Sequence, residues 1–147
     1  MARAQCLIVR NGKILMTKHR VDEREWWCLP GGGIDENETP EAAAIRELKE
    51  ECNVDGKIIR MISHNSYSDE NKDYTFLIHI DEQEPQIGFD PELVDGKQII
   101  ADMKWLSLKE IPERDRCFLW ASGLIGVSNM SNEIEEWGDR ISYPGEE

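Results

Sequence analysis

Basic residues are scarce in this chain: 17 Lys and Arg stand against 30 Asp and Glu over 147 residues, a formal net charge of -13. A surface this acidic repels phosphate backbones at long range, so polymeric DNA or RNA is not an expected partner. A small phosphorylated substrate stays open if a metal ion mediates the contact. Cysteines are few and scattered. Cys6, Cys28, Cys52 and Cys117 form no CxxC pair, which excludes a zinc ribbon or a redox motif of that kind and leaves free thiols in a reducing compartment. His19, His64 and His79 form no HExxH pattern. No stretch approaches the roughly 20 apolar residues of a membrane span. The apolar run near Met1 is too short for a signal peptide. A cytoplasmic protein without a membrane partner is expected. Internal repeats and low-complexity linkers are also lacking.

What is present fits one domain. The length suits one core, and an apolar fraction of 39% is ordinary for a globular chain. Residues 5–9 read as a strand, Asn11-Gly12 as a tight hairpin turn and residues 13–19 as the partner strand. Residues 21–25 read as a charged loop leading to Trp26-Trp27-Cys28-Leu29-Pro30 and the run Gly31-Gly32-Gly33. A helix is expected from Thr39, a good N-cap, with Pro40 at its first position and Glu41 at the positive end of its dipole. It ends near Cys52, where Asn53 tolerates the left-handed conformation needed to leave it. Residues 57–64, 74–80 and 99–106 read as further strands, with a polar connection over 63–73. Residues 81–97 form a long acidic loop, a feature that is often functional. A mainly apolar second helix is expected over 117–127. Residues 1–128 are taken as one domain and 129–147 as an acidic tail. This order of elements predicts an α/β sandwich with a mixed sheet.

The central helix carries the chemistry. At 100° per residue, Ala44, Ile45, Leu48 and Cys52 share one arc that can pack on a sheet. Glu47, Glu50 and Glu51 share the neighbouring arc, at i, i+3 and i+4, and stand as direct neighbours on the surface. Three such like charges repel. A helix built only for solubility would mix in lysines, although Arg46-Glu47-Leu48-Lys49-Glu50-Glu51 taken alone also reads as a solvated face. Clustered carboxylates beside a glycine loop make sense if a hard cation neutralises them, and oxygen ligands suit Mg²⁺ or Mn²⁺.

The surroundings decide between these readings. Gly32, five residues, Glu38, seven residues and then Arg46-Glu47-Leu48-Lys49-Glu50-Glu51-Cys52-Asn53-Val54 keep fixed offsets. This pattern resembles the Nudix box, G-x5-E-x7-R-E-U-x-E-E-x-G-U with U aliphatic. Asn53 in place of the last glycine is the single departure, and it is mild because Asn readily adopts positive φ. A chance match of this quality has odds of roughly one in 10⁵ to 10⁶ per chain. Trp27-Cys28-Leu29-Pro30-Gly31-Gly32 also looks like the segment that leads into the family's box. The motif resemblance spans residues 27–54.

The resemblance implies a Nudix-type α/β/α sandwich with a mixed β-sheet and a Mg²⁺-dependent hydrolase, Mn²⁺ being the alternative ion. Glu47, Glu50, Glu51 and the carbonyl of Gly31 would be metal ligands. Arg46 would hold the glutamates by charge-assisted hydrogen bonds, unless it is a plain surface ion pair. Glu38 would assist the metal site or its waters. A divalent cation would withdraw charge from a diphosphate and acidify the attacking water. Glu51 is the first choice of general base. Glu82, Glu84, Glu92 and Asp102 are reserves, each of which reads first as a solvated acid. The substrate side of the site is assigned to Gly32, Glu38, Asp102 and Tyr67. Trp26, Trp27, His64, Tyr67, Tyr74 and Trp105 are candidates for stacking on a base, with Trp27 and Tyr74 read as core. The expected substrate is a small nucleotide: a nucleoside triphosphate first, with ADP-ribose or a dinucleoside polyphosphate as the alternative. A non-catalytic nucleotide sensor and an isoprenoid diphosphate isomerase are the remaining readings. The protein is expected to be a monomer or homodimer.

Overall fold

The computed structural model describes residues 2–88, 98–124 and 127. The first hairpin forms where Asn11 and Gly12 both take positive φ, 52° and 74°. Such a turn matches the right-handed twist of the strands it joins. It links β2 (Val9–Arg10) to β3 (Lys13–Val21). The strand expected over residues 5–9 is divided. β1 (Ala2–Leu7) lies in one sheet and β2 in another, with the chain crossing between them at Ile8. Cys6, Leu7 and Ile8 are all buried, so hydropathy shows no break at the crossing.

A second two-residue hairpin follows at once. Val21 pairs with Arg24 and Asp22 takes φ 54°, so β4 (Arg24–Cys28) returns along β3. The charged loop expected over residues 21–25 is therefore mostly strand. Its side chains lie largely outside the core, which hides the alternation that marks a half-buried strand. β3 is the centre of this antiparallel sheet. β8 (Gln98–Leu106) runs along one side of it, and β2 and β4 lie on the other.

The second sheet is mixed. It consists of β5 (Gly31–Gly33), β1, β7 (Lys72–His79) and β6 (Lys57–Ser66), in that order. β1 and β7 are parallel, while β5 on β1 and β6 on β7 are antiparallel. The glycine run is thus a strand rather than a loop. α1 (Pro40–Cys52) begins at the expected cap: Thr39 Oγ1 accepts from the Ala42 N–H at 3.1 Å. It ends at Asn53, whose φ of 55° and ψ of 37° are left-handed.

Strand alternation divides the core between the two helices. Ala4, Cys6, Phe76 and Ile78 pack with Ala43, Ala44, Leu48 and Cys52 of α1, joined by Leu15, Met103 and Trp105 of the antiparallel sheet. Leu7, Ile14, Met16 and Leu106 turn the other way. They pack with Leu119 of α2 (Glu113–Ala121) and with Leu124 and Val127 beyond it. The result is an α/β/α sandwich. α2 differs from the apolar helix expected over 117–127. It starts after Pro112, carries Glu113 and Asp115 in its first turn, and buries only Asp115 and Leu119. Leu124, which gave the segment its apolar character, packs after the helix has ended. The expected tail over 129–147, and Glu92, lie outside the described residues. Among those residues, no helix is long and apolar enough to cross a membrane.

Candidate active site

The acids of α1 do not stand together on the surface. Glu47 is fully buried, Glu51 is 1% exposed, and Glu50 is half-buried beside them. The expectation of three surface neighbours is corrected here: the arc they occupy faces β5, not water. Burying carboxylates costs several kcal/mol per ion unless countercharge and hydrogen bonds offset it. Arg46 supplies much of that offset. Its Nη1 donates to Glu47 Oε1 at 3.0 Å and to Glu50 Oε2 at 3.2 Å. Its Nε donates to Glu38 Oε2 at 2.8 Å, and Nη2 donates to Glu38 Oε1 at 3.0 Å and to the Gly33 carbonyl at 2.9 Å. A guanidinium has five N–H donors, and these contacts draw on all three nitrogens. The Arg46 hydrogen bonds hold the Glu38 carboxyl below its ordinary range, and Glu38 above all stabilises the charged form of Arg46 in return.

The glycines are required by close approach rather than by φ. A Cβ on Gly32 would sit 2.5 Å from Glu47 Cδ and Oε1, so the carboxylate lies flat against the strand backbone only because no side chain intervenes. A Cβ on Gly31 would meet the Ala4 carbonyl oxygen of β1 at 2.3 Å. The Gly31 N–H donates to Glu51 Oε2 at 3.4 Å, in a buried setting. Cys28 lies just beyond, and burial pushes its thiol up to about 12 despite a hydrogen bond with Thr17 that acts the other way. Burial likewise raises Cys6 and Cys52, and all four cysteines are free.

The last turn of α1 is held from outside. After β7 the chain folds back, and the N–H groups of Gln86 and Gly88 donate to the carbonyls of Cys52 and Glu51 at 2.9 and 2.8 Å. These contacts were not foreseen. The only sequence signal for them is a glycine in an otherwise acidic stretch.

Arg46, Glu47, Glu50, Glu51, Gly31, Gly32 and Glu38 thus converge. Tyr67 and Asp102 do not join them. Tyr67 is 64% exposed in the turn between β6 and β7, at the edge of the mixed sheet opposite β5, and its N–H donates to the Asn71 carbonyl at 2.8 Å. Asp102 pairs with Lys18 at a bulge, accepts from the Met103 N–H at 2.7 Å and forms an ion pair with Lys104. Its neighbour Met103, not Asp102, faces the core under α1. Glu84 pairs with Arg10 at 3.7 Å, and Glu82 is exposed. Trp27 and Tyr74 pack against the core, as expected.

Fold and site together define an α/β/α sandwich with a helix-borne carboxylate centre set against a glycine strand. The family model for the NUDIX domain matches residues 1–121. The chain belongs to the Nudix family. It is 34% identical over 79 residues to mouse diphosphoinositol polyphosphate phosphohydrolase 3-alpha, covering 51% of this chain and 47% of that protein. It is 39% identical over 56 residues to an RNA pyrophosphohydrolase of Sphingopyxis alaskensis, covering 38% of this chain and 35% of the relative. The chain therefore spans about half or less of these curated relatives. The crystal structure of a MutT NUDIX hydrolase from Burkholderia pseudomallei superposes with a TM-score of 0.63 at 26% identity, covering 81% of this chain and 95% of that one.

Proposed function

We propose that this chain is a divalent-metal-dependent hydrolase that cleaves the diphosphate linkage of a small nucleotide. The burial of Glu47 and Glu51 against a glycine strand, with Glu50 at their side, carries the proposal. The donor set fits Mg²⁺ or Mn²⁺ in kind, being all oxygen and anionic. It is not a closed cage: among the described residues, no three Asp, Glu, His or Cys side chains are grouped so as to hold an ion by themselves. That also suits Mg²⁺, which commonly takes one or two carboxylates and completes its shell with water and substrate phosphates. Glu47, Glu50, Glu51 and the Gly31 carbonyl are the donors from which the ion would draw, one or two carboxylates binding it directly and the rest acting through its waters. When bound, it would supply charge neutralisation on the phosphates and a more acidic water.

The remaining roles belong to the chain itself. Glu51, buried beside the Gly31 N–H, is the proposed general base. Arg46 fixes Glu47 and Glu50, and Glu38 fixes Arg46, so both act as positioning residues. The proposed substrate is a nucleoside triphosphate, cut to a monophosphate and pyrophosphate. The names of the curated relatives favour a second reading, the diphosphate linkage of a diphosphoinositol polyphosphate or of an RNA. The charge of -13 weighs against long RNA. The test is steady-state kinetics with Mg²⁺, the products separated and quantified by chromatography, over nucleoside triphosphates, ADP-ribose, diadenosine polyphosphates, a diphosphoinositol polyphosphate and a triphosphorylated oligoribonucleotide. A triphosphate specificity constant above all others is expected. A tenfold advantage for any other class overturns the substrate, and failure on every diphosphate overturns the activity.

A further inference from the structure

We propose that Arg10 is a positioning residue for Glu51 and acts on it through the segment 81–88. The proposal rests on the reading of Glu51 as part of the reaction centre. Arg10 lies on β2, in the sheet that does not hold β5, and its guanidinium meets residues 81–84 and Trp105. Its effect on Glu51 is therefore relayed.

The relay begins at the helix end. Carbonyls in the last turn of a helix have no N–H partner within it. At the end of α1 the Gly88 N–H takes the Glu51 carbonyl at 2.8 Å, and the Gln86 N–H takes the Cys52 carbonyl at 2.9 Å. The Glu50 carbonyl lies so close to Gly88 that no Cβ fits between them. The segment thus fixes the backbone of Glu51, and the side chain carries that position to the Gly31 N–H at 3.4 Å.

Two side chains hold the segment itself. Arg10 Nη2 donates to the Asp81 carbonyl at 2.7 Å and to the Gln83 carbonyl at 3.1 Å. A charged donor makes such bonds stronger than a neutral one does. The guanidinium carbon lies 4.7 Å over the Trp105 ring. Trp105 packs against the core that includes Leu48 and Cys52 of α1, so the clamp and the helix share one foundation. The ion pair with Glu84, at 3.7 Å, adds little because Glu84 is 81% exposed. Gln83 is the second hold. Its Nε2 donates to the Asp55 carbonyl at 2.9 Å, and its Oε1 accepts from the Asp55 N–H at 2.8 Å, just past the end of α1. Pro85 stands between these holds and the Gln86 and Gly88 donors, and its ring restricts φ there.

The experiment is amide NMR of the metal-free full chain, with Mn²⁺ binding measured separately by electron paramagnetic resonance. Arg10→Ala and Gln83→Ala are the test variants, and melting curves check their folding. Lys13→Ala is the control, an exposed cation opposite Arg10 in the hairpin. In both test variants the Gln86 and Gly88 amides should exchange at least about tenfold faster, from the lost hydrogen bonds. The Leu48 amide should keep its rate. The Gly31 amide resonance should move, since its acceptor is the Glu51 carboxylate. Mn²⁺ affinity should fall by roughly tenfold, as it does when groups that orient ligands are removed. Lys13→Ala should match the parent throughout. Unchanged exchange at Gln86 and Gly88 in the two test variants overturns the proposal. So does faster exchange with an unmoved Gly31 resonance and Mn²⁺ affinity within twofold of the parent, for Arg10 would then secure the segment without positioning Glu51. A parent that binds no Mn²⁺ sinks the metal reading alone, and the Gly31 resonance then decides the positioning.

Discussion

Replacing Gly32 with alanine should strike one group in particular. The new Cβ would lie 2.5 Å from Glu47 Cδ and Oε1 and 2.6 Å from Oε2, whereas ordinary contact begins at 3.4 Å. The carboxylate must retreat by about 0.9 Å, the difference between 3.4 and 2.5 Å. It has little room to do so, being fully buried and tied to Arg46 at 3.0 Å. Overpacking of this kind costs about 1–3 kcal/mol, or several degrees in Tm for each kcal/mol in a domain of this size. A shift near 1 Å in a residue proposed to hold the metal should also lower turnover by roughly 10²-fold. The assay is thermal denaturation without metal, run as a double-mutant cycle with Glu47→Ala. Removing the Glu47 carboxylate clears the space, so Gly32→Ala in that background should cost less than about 0.5 kcal/mol. Two substitutions that destabilise additively would refute the reasoning, because the Cβ would then be striking something other than Glu47.

Three further outcomes are expected. Glu51→Gln should lower turnover by roughly 10² to 10⁴ with a normal melting curve; Lys49→Gln, at an exposed residue paired with exposed Asp55, is the control and should match the parent. Chelation should abolish activity, Mg²⁺ or Mn²⁺ should restore it and raise Tm, and Ca²⁺ should restore little; full turnover in excess EDTA would remove the metal from the proposal. Gly88→Ala places a Cβ against the Glu50 carbonyl oxygen, so it should break the Gly88 hydrogen bond to Glu51, destabilise by about 1–3 kcal/mol and lower turnover; an unchanged melting curve and rate would show that this contact does not support α1.

Features encoded within a few residues were legible. Thr39, Pro40 and Asn53 bound α1 because capping and left-handed φ are local demands. The Asn11-Gly12 turn follows from the same kind of constraint. The convergence of Arg46, Glu38 and the glutamates was also foreseen, since helical spacing and the box pattern bring them together. Burial of the acids was not. Helix periodicity orders residues around an axis, but it cannot say that β5 will lie on the charged arc, because that depends on pairing between β5 and β1. The face to which Asp102 turns was not legible for a related reason: a strand sends alternate residues to opposite faces, and it is Met103 that packs into the core under α1. The apolar residues after α2 were absorbed into it because they pack in the same cluster as Leu119.

The parallel pairing of β1 with β7 bears on how the molecule is made. Ala2 meets Lys72 and Leu7 meets Leu77, so each contact spans seventy residues of chain. At roughly 5–20 residues per second, translation needs about 4–14 s to deliver that partner after β1 itself has been synthesised. Until then β1 has only the three glycines of β5 to pair with, and α1 has no complete sheet beneath it. The floor on which Phe76 and Ile78 meet Ala43, Ala44, Leu48 and Cys52 is therefore completed last, and a nascent chain halted before residue 72 should lack a settled core beneath α1.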